Sequence, residues 1–215
     1  MHPLQARRAS LRMTQANLAR SAGISRTALS LIENGRLRPS METAHALDRA
    51  LDPLSAPTML RCGRGAMGAA ELVRKVAREF ELEYALTADV AAWLLTRYQK
   101  PGAAWAYVRP LDDWADSVRR RGARRPRGPT PADLVLLRAP EEVLGESRMV
   151  GGFRVVAPGR LLQDCARLGG RRALDAARVY VEFPEARLPG LRLDADALLK
   201  VFEHVGPRTS RTSNV

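Results

Sequence analysis

The chain is poor in the residues that most often carry chemistry. Its 215 residues hold two cysteines, three histidines and three lysines, Lys75, Lys100 and Lys200. Cys62 and Cys165 stand alone without a CxxC spacing, and they read as reduced thiols rather than a disulfide or metal ligands. His2, His45 and His204 are far apart, which leaves no zinc constellation. A self-cleaving repressor needs a Ser nucleophile with a Lys base, and no lysine here sits in such a motif. No apolar run approaches a membrane span and the N-terminus lacks the pattern of a signal peptide. The sequence therefore predicts a cytoplasmic protein with no membrane partner.

Positive charge is in excess. The formal net charge is +12 and the sequence pI is near 11.0. An imbalance of this size implies an anionic partner. Nearly all the basic side chains are Arg, which suits phosphate and guanine contacts. Apolar content is 46%, enough for a packed core rather than a disordered tail.

Residues 4–51 are a run of helical patterns, closed by the Pro-rich DPLSAP at 52–57. The stretch 55–68 reads as a linker, with a short extended candidate at Thr58–Arg61 and a Gly-rich turn after it. Its Gly63-Arg64-Gly65-Ala66-Met67-Gly68 is formally GxGxxG, but no second βαβ unit follows at dinucleotide-binding spacing. Beyond it, strand patterns at Tyr84–Leu86, Ala103–Val108, Leu134–Arg138 and Phe153–Ala157 alternate with helical ones. The helices expected are Ala69–Phe80, one capped by Thr87, Leu111–Arg120, and three near 159–168, 171–182 and 195–205. Between Arg119 and Arg127 lie six Arg and no acid, a pattern of a solvated, mobile loop or of a strip that tracks phosphate. The pairs Asp112-Asp113, Glu141-Glu142 and Asp194/Asp196 fit helix N-termini, where negative charge is favoured. TSRTSNV at 209–215 reads as a frayed tail.

The most informative stretch is TQANLARSAGISRTALSLIENG, residues 14–35. Thr14 sits at an N-cap and Ala19 falls where two helices must approach closely. Gly23 takes a turn where positive φ is cheap only for glycine. Ile24 plugs the turn, Ser25 caps a second helix, and Leu29 and Ile32 face inward with Leu18. Asn34-Gly35 is a left-handed stop. Ser40 caps a further helix with Ala44, Leu47 and Leu51 on its inner stripe.

With these residues in place, QARRASLRMTQANLARSAGISRTALSLIENGRLRPSMETAHALDRALD resembles the Xre/Cro-type helix-turn-helix of phage repressors. The resemblance implies double-stranded operator DNA as partner, bound by a homodimer, with the second helix of the motif in the major groove. Carried over by position, Gln15 contacts a phosphate and braces the recognition helix. Ser25 caps that helix at the DNA, Arg26 and Thr27 reach base edges, and Ser30 and Leu31 lie further along. Asn34 binds backbone, and Arg36 and Arg38 lie against phosphates or the narrow groove. Leu31 departs from the family, where this position is more often polar. Arg7, Arg8 and Arg12 either line the DNA backbone or form a solvated face.

YALTADVAAWLLTRYQKPGAAWAYV, DLVLLRAPEEVL and GGFRVVAPGRLLQDCARLGGRRALDAARVYVEF together resemble the C-terminal part of AbiEi-type antitoxins of type IV toxin–antitoxin systems. The resemblance implies an α/β domain, an autoregulating repressor and a nucleotidyltransferase-type toxin partner. Tyr84–Val108 also looks like a degenerate nucleotidyltransferase core. An active one needs Gly-Ser after the first strand and Asp residues on the next; here stand Ala88-Asp89 and AAWAYV.

The expected architecture is a mainly α helix-turn-helix domain of four to five helices at 1–54, followed by the linker 55–68. An α/β (α+β) domain at 69–208 and a tail at 209–215 complete it. The expected function is a sequence-specific DNA-binding regulator without catalytic residues, metal or cofactor. The alternative is a DNA-binding protein whose C-terminal domain is a ligand sensor or a nucleotidyltransferase-like enzyme.

Overall fold

The computed structural model describes residues 2–54, 57–127, 131–187, 189 and 191–204. The expected tail at 209–215 lies outside the described residues.

The N-terminal unit has four helices: α1 Pro3–Ser10, α2 Gln15–Ala22, α3 Arg26–Glu33 and α4 Met41–Ala50. The starts of α2, α3 and α4 are capped as the sequence predicts. Thr14 Oγ1 accepts from Asn17 N at 3.1 Å, Ser25 Oγ from Ala28 N at 3.0 Å and Ser40 Oγ from Thr43 N at 3.1 Å. Gly23 ends α2 at φ +69°, and Gly35 follows α3 at φ +69°. Leu18, Ala19, Leu29, Ile32, Leu47 and Leu51 form the centre of a small separate core. Ala44 is only half-buried on the rim of the inner stripe.

The second unit is built on one six-stranded mixed sheet, in the order β1-β4-β3-β2-β6-β5. The strands are β1 Thr58–Leu60, β2 Glu83–Thr87, β3 Ala104–Arg109, β4 Leu134–Arg138, β5 Arg148–Val150 and β6 Phe153–Val155. Pairs β3–β4 and β2–β6 are parallel; β1–β4, β2–β3 and β5–β6 are antiparallel. The near-continuous burial of β2, β3 and β4 shows that both faces are covered. Among the described residues seven α-helices accompany the sheet: α5 Gly65–Phe80, α6 Ala88–Thr96, α7 Leu111–Arg120, α8 Glu141–Gly145, α9 Pro158–Leu168, α10 Arg172–Glu182 and α11 Ala195–His204. Their fit to the sequence reading is close, and the α+β class is as expected.

Two local readings change. The stretch 55–68 contributes β1 to the sheet edge and the first turn of α5. The extended candidate at Thr58–Arg61 is this strand: Leu60 is fully buried and pairs with Leu134 of a strand far along the chain, so the stretch is part of the sheet as well as a link. The Arg-rich run is also more fixed than a mobile loop. Arg119 pairs with Asp116, Arg121 with Glu79, and Arg120 and Arg121 lie over the Phe80 ring. Arg124 exchanges backbone hydrogen bonds with Arg61. Only beyond it do Arg125 and Arg127 stand exposed without such a tie.

Candidate nucleic-acid interface

The second helix of the motif, α3, buries Leu29, Ile32 and Glu33 and turns Arg26, Thr27 and Leu31 outward. Ser25 is exposed at its N-terminus, where unpaired amide groups favour an anion. Ser30 is half-buried, with Asn34 Nδ2 donating to its Oγ at 3.5 Å. After the helix, Arg36 N and Leu37 N both donate to Leu31 O, at 2.8 and 3.2 Å. This turn leaves Asn34, Arg36 and Arg38 exposed. All nine residues assigned by position thus lie at the start of α2, at the N-cap of α3, on α3 or in the turn that follows. Their contact with DNA is taken up under Proposed function.

Beneath this surface is a buried ion pair. Arg8 Nε donates to Glu33 Oε1 at 2.6 Å and Arg8 Nη2 donates to Oε2 at 3.1 Å. Arg8 Nη1 donates to the Met13 carbonyl at 2.7 Å, which ties the loop before α2. Gln15 Nε2 donates to Glu33 Oε2 at 2.7 Å. Glu33 is 3% exposed, and burial alone would raise its pKa; the bonds from Arg8 and Gln15 outweigh that and hold the carboxyl below its ordinary range. Arg8 is therefore neither a DNA-backbone residue nor part of a solvated face. Arg7, one residue earlier, pairs at the surface with Asp48 at 2.7 Å. Sequence reasoning missed Glu33 altogether, although a charged residue beside the inward-facing Ile32 is a visible signal.

The second unit holds a different polar cluster, at the end of β2 where α6 begins. Thr87 is the N-cap of α6, but its side chain makes no cap bond. Its hydroxyl instead donates to Asp164 Oδ2 at 2.7 Å, and Tyr107 Oη donates to Asp164 Oδ1 at 3.0 Å. Arg160 Nε lies 3.0 Å from the same carboxylate as an ion pair lacking hydrogen-bond alignment. Burial pushes the Asp164 carboxyl up, against the opposing pull of Arg160, Thr87 and Tyr107. Asp89 accepts from Gly102 N at 3.0 Å, Ala103 N at 3.2 Å and Arg172 Nε at 2.6 Å. Asp175 is buried nearby, and burial together with the Asp89 charge raises its pKa to about 7. Among the described residues no group of three His, Cys, Asp or Glu side chains is arranged to hold a metal ion.

The GxGxxG string has its own occupant. Asp133 accepts from Cys62 N at 2.5 Å and from Arg64 N at 3.0 Å. A carboxylate of the chain itself thus takes the amides ahead of α5 that a pyrophosphate would use. The acidic pairs fall as read: Asp112 and Asp113 in the first turn of α7, Glu141 and Glu142 in that of α8. Asp194 Oδ1 accepts from Ala197 N at 3.1 Å and Asp196 lies in the first turn of α11.

No helix among the described residues is long and apolar enough to cross a membrane. Neither the curated proteins nor the solved structures give a match to the chain. Residues 4–57 match the helix-turn-helix family model, so this quarter of the chain is an Xre-like DNA-binding module and the chain is a DNA-binding transcription regulator.

Proposed function

We propose that the chain is an autoregulating repressor that binds an operator in its own promoter as a homodimer. In this reading it is also the antitoxin of a type IV, abortive-infection operon. The α/β domain supplies dimerisation and the contact with a nucleotidyltransferase-type toxin, and it has no catalytic activity. The observation that carries the DNA-reading part is the exposed N-terminal face of α3, braced from below by Arg8, Glu33 and Gln15. Arg26 can place two donors on a guanine, and Gln15 keeps a second amide hydrogen for a phosphate. Ser25, Thr27, Ser30, Leu31, Asn34, Arg36 and Arg38 complete the surface. The non-catalytic part is supported by Asp89. It is the first acid after β2 along the chain, and its carboxylate is already bound by two backbone amides and Arg172.

A separation-of-function experiment tests this. The full chain and its Arg26→Ala variant are expressed with a reporter on the native upstream DNA, and separately with the adjacent gene under induction. The reading expects the wild type to repress the reporter and to relieve growth arrest by the neighbour. Arg26→Ala should lose repression and keep relief. Repression without any relief would reduce the protein to a repressor; relief without repression would remove the autoregulatory role.

A further inference from the structure

Where the four-helix unit meets the α/β domain, a cleft of about 390 Å³ opens. That is within the size range of small-molecule sites. Two guanidiniums line it from the helical unit, Arg7 on α1 and Arg49 on α4. Two more line it from α9, Arg160 and Arg167. The carboxylates of Asp48, Asp52 and Glu142 complete its charge, four cations against three acids.

The arginines differ in how firmly they are held. Arg160 is anchored, because its guanidinium is fixed from below by the buried Asp164 and by Tyr107 Oη. Its position is set before any ligand arrives. Arg7 pairs with Asp48 with both side chains more than half exposed, at 52% and 65%. Arg167, its side chain 51% exposed, pairs across the boundary between the units with Asp52, whose side chain is 20% exposed. The exposed Arg7–Asp48 pair contributes little, so a ligand anion can replace Asp48 there at small loss, while the exposed side of the Arg167 guanidinium is open to a ligand beside Asp52. Guanidinium forks match carboxylate and phosphate oxygens in a planar, two-point fashion. Two such forks on each wall, one of them pre-positioned, are the complement of a small molecule with an acidic group at each end.

We propose that this cleft is a binding site for a small anion carrying at least two acidic groups, either phosphates or carboxylates, that bridges Arg7 and Arg49 to Arg160 and Arg167. The site is independent of the DNA-reading surface, and it is tested without DNA. Pyrophosphate and citrate are the probes, titrated into the full-length protein at constant ionic strength with chloride as balance. Binding is followed by calorimetry and by thermal unfolding. The wild type should bind one of them saturably, the preferred probe distinguishing phosphate from carboxylate chemistry. Arg7→Ala/Arg49→Ala should weaken binding at least tenfold, and Arg167→Ala, from the opposite wall, should weaken it as well. Arg125→Ala/Arg127→Ala removes the same charge from the exposed Arg-rich run and should leave binding unchanged. Non-saturating binding, or equal weakening in both double variants, would mean diffuse attraction to a basic protein and overturn the site. Unaltered binding in both cleft variants would overturn it too.

Discussion

Gln15 opens α2 and Glu33 closes α3, and the Gln15 amide donates to the Glu33 carboxylate at 2.7 Å. One contact thus sets the residue assigned to phosphate against the end of the helix assigned to the bases. Arg8 completes the set from α1. Three helices are locked through a single buried carboxylate, and the outward face of α3 inherits its setting from them.

Removing the charge should therefore damage the module more than a surface change would. Glu33→Gln leaves Arg8 largely buried without its counter-ion and is expected to lower the stability of the helical unit by about 3 kcal/mol. The sign of the pH effect follows from the lowered pKa of Glu33. Its stabilisation is present above the ordinary carboxylate range and is lost as pH falls through the lowered value. Acid titration of helicity should show this loss in the wild type and not in Glu33→Gln. An equal acid transition in both proteins would remove Glu33 from the account.

Arg36, exposed in the turn after α3, is assigned to phosphates or the narrow groove, and the phosphate role makes a specific prediction. Arg36→Ala should weaken binding to operator and random DNA alike and reduce the salt slope by about 1. Weakening confined to the operator would make it a base-reading residue instead.

Ala19 is 3% exposed, on α2, which packs against α3 and α4. Ala19→Leu forces these helices apart and should destabilise the unit by about 1–3 kcal/mol. Thermal unfolding measures it, and a change below about 0.5 kcal/mol would show that the crossing tolerates bulk there.

Much of this module is legible in the sequence because its signals are local. Thr14, Ser25 and Ser40 cap helices whose first turns begin at the next residue, and Gly23 supplies a positive φ inside one short turn. What the sequence hides is long-range. Glu33 reads as an ordinary acid until Arg8, 25 residues earlier, is placed beside it. Thr87 reads as a helix cap, but its hydroxyl is taken by Asp164, 77 residues on. β1 is legible as an extended stretch at Thr58–Arg61, but its partner β4, far along the chain, is not. The Arg-rich run reads as free charge because the aromatic ring and the acid that hold it, Phe80 and Glu79, lie on α5.

Asp175 gives the α/β domain its own pH dependence. Burial comes first and the Asp89 charge second, against Arg171 and Arg172, and the result is a pKa of about 7. The folded state then binds more protons than the unfolded chain between the ordinary Asp range and about 7. Stability should fall as pH rises through that window. Asp175→Asn removes the buried charge and keeps an acceptor for Gln99, whose Nε2 lies 3.4 Å from Asp175 Oδ1. Its melting temperature should exceed that of the wild type at pH 8, by an amount worth about 1–3 kcal/mol, and the gap should narrow toward pH 5. A gap that stays constant with pH would show that Asp175 does not titrate there.

The central claim is that α3 reads a defined sequence through Arg26. The direct test is a footprint of the purified full-length protein on its own upstream DNA, at several salt concentrations, beside Arg26→Ala. The account predicts a discrete, two-fold symmetric protected site whose half-sites lie about one helical turn apart. It also predicts a loss of about 1–3 kcal/mol in the variant, confined to that site and relaxing one base position. Diffuse coating that fades with salt, the same for both proteins, would contradict it.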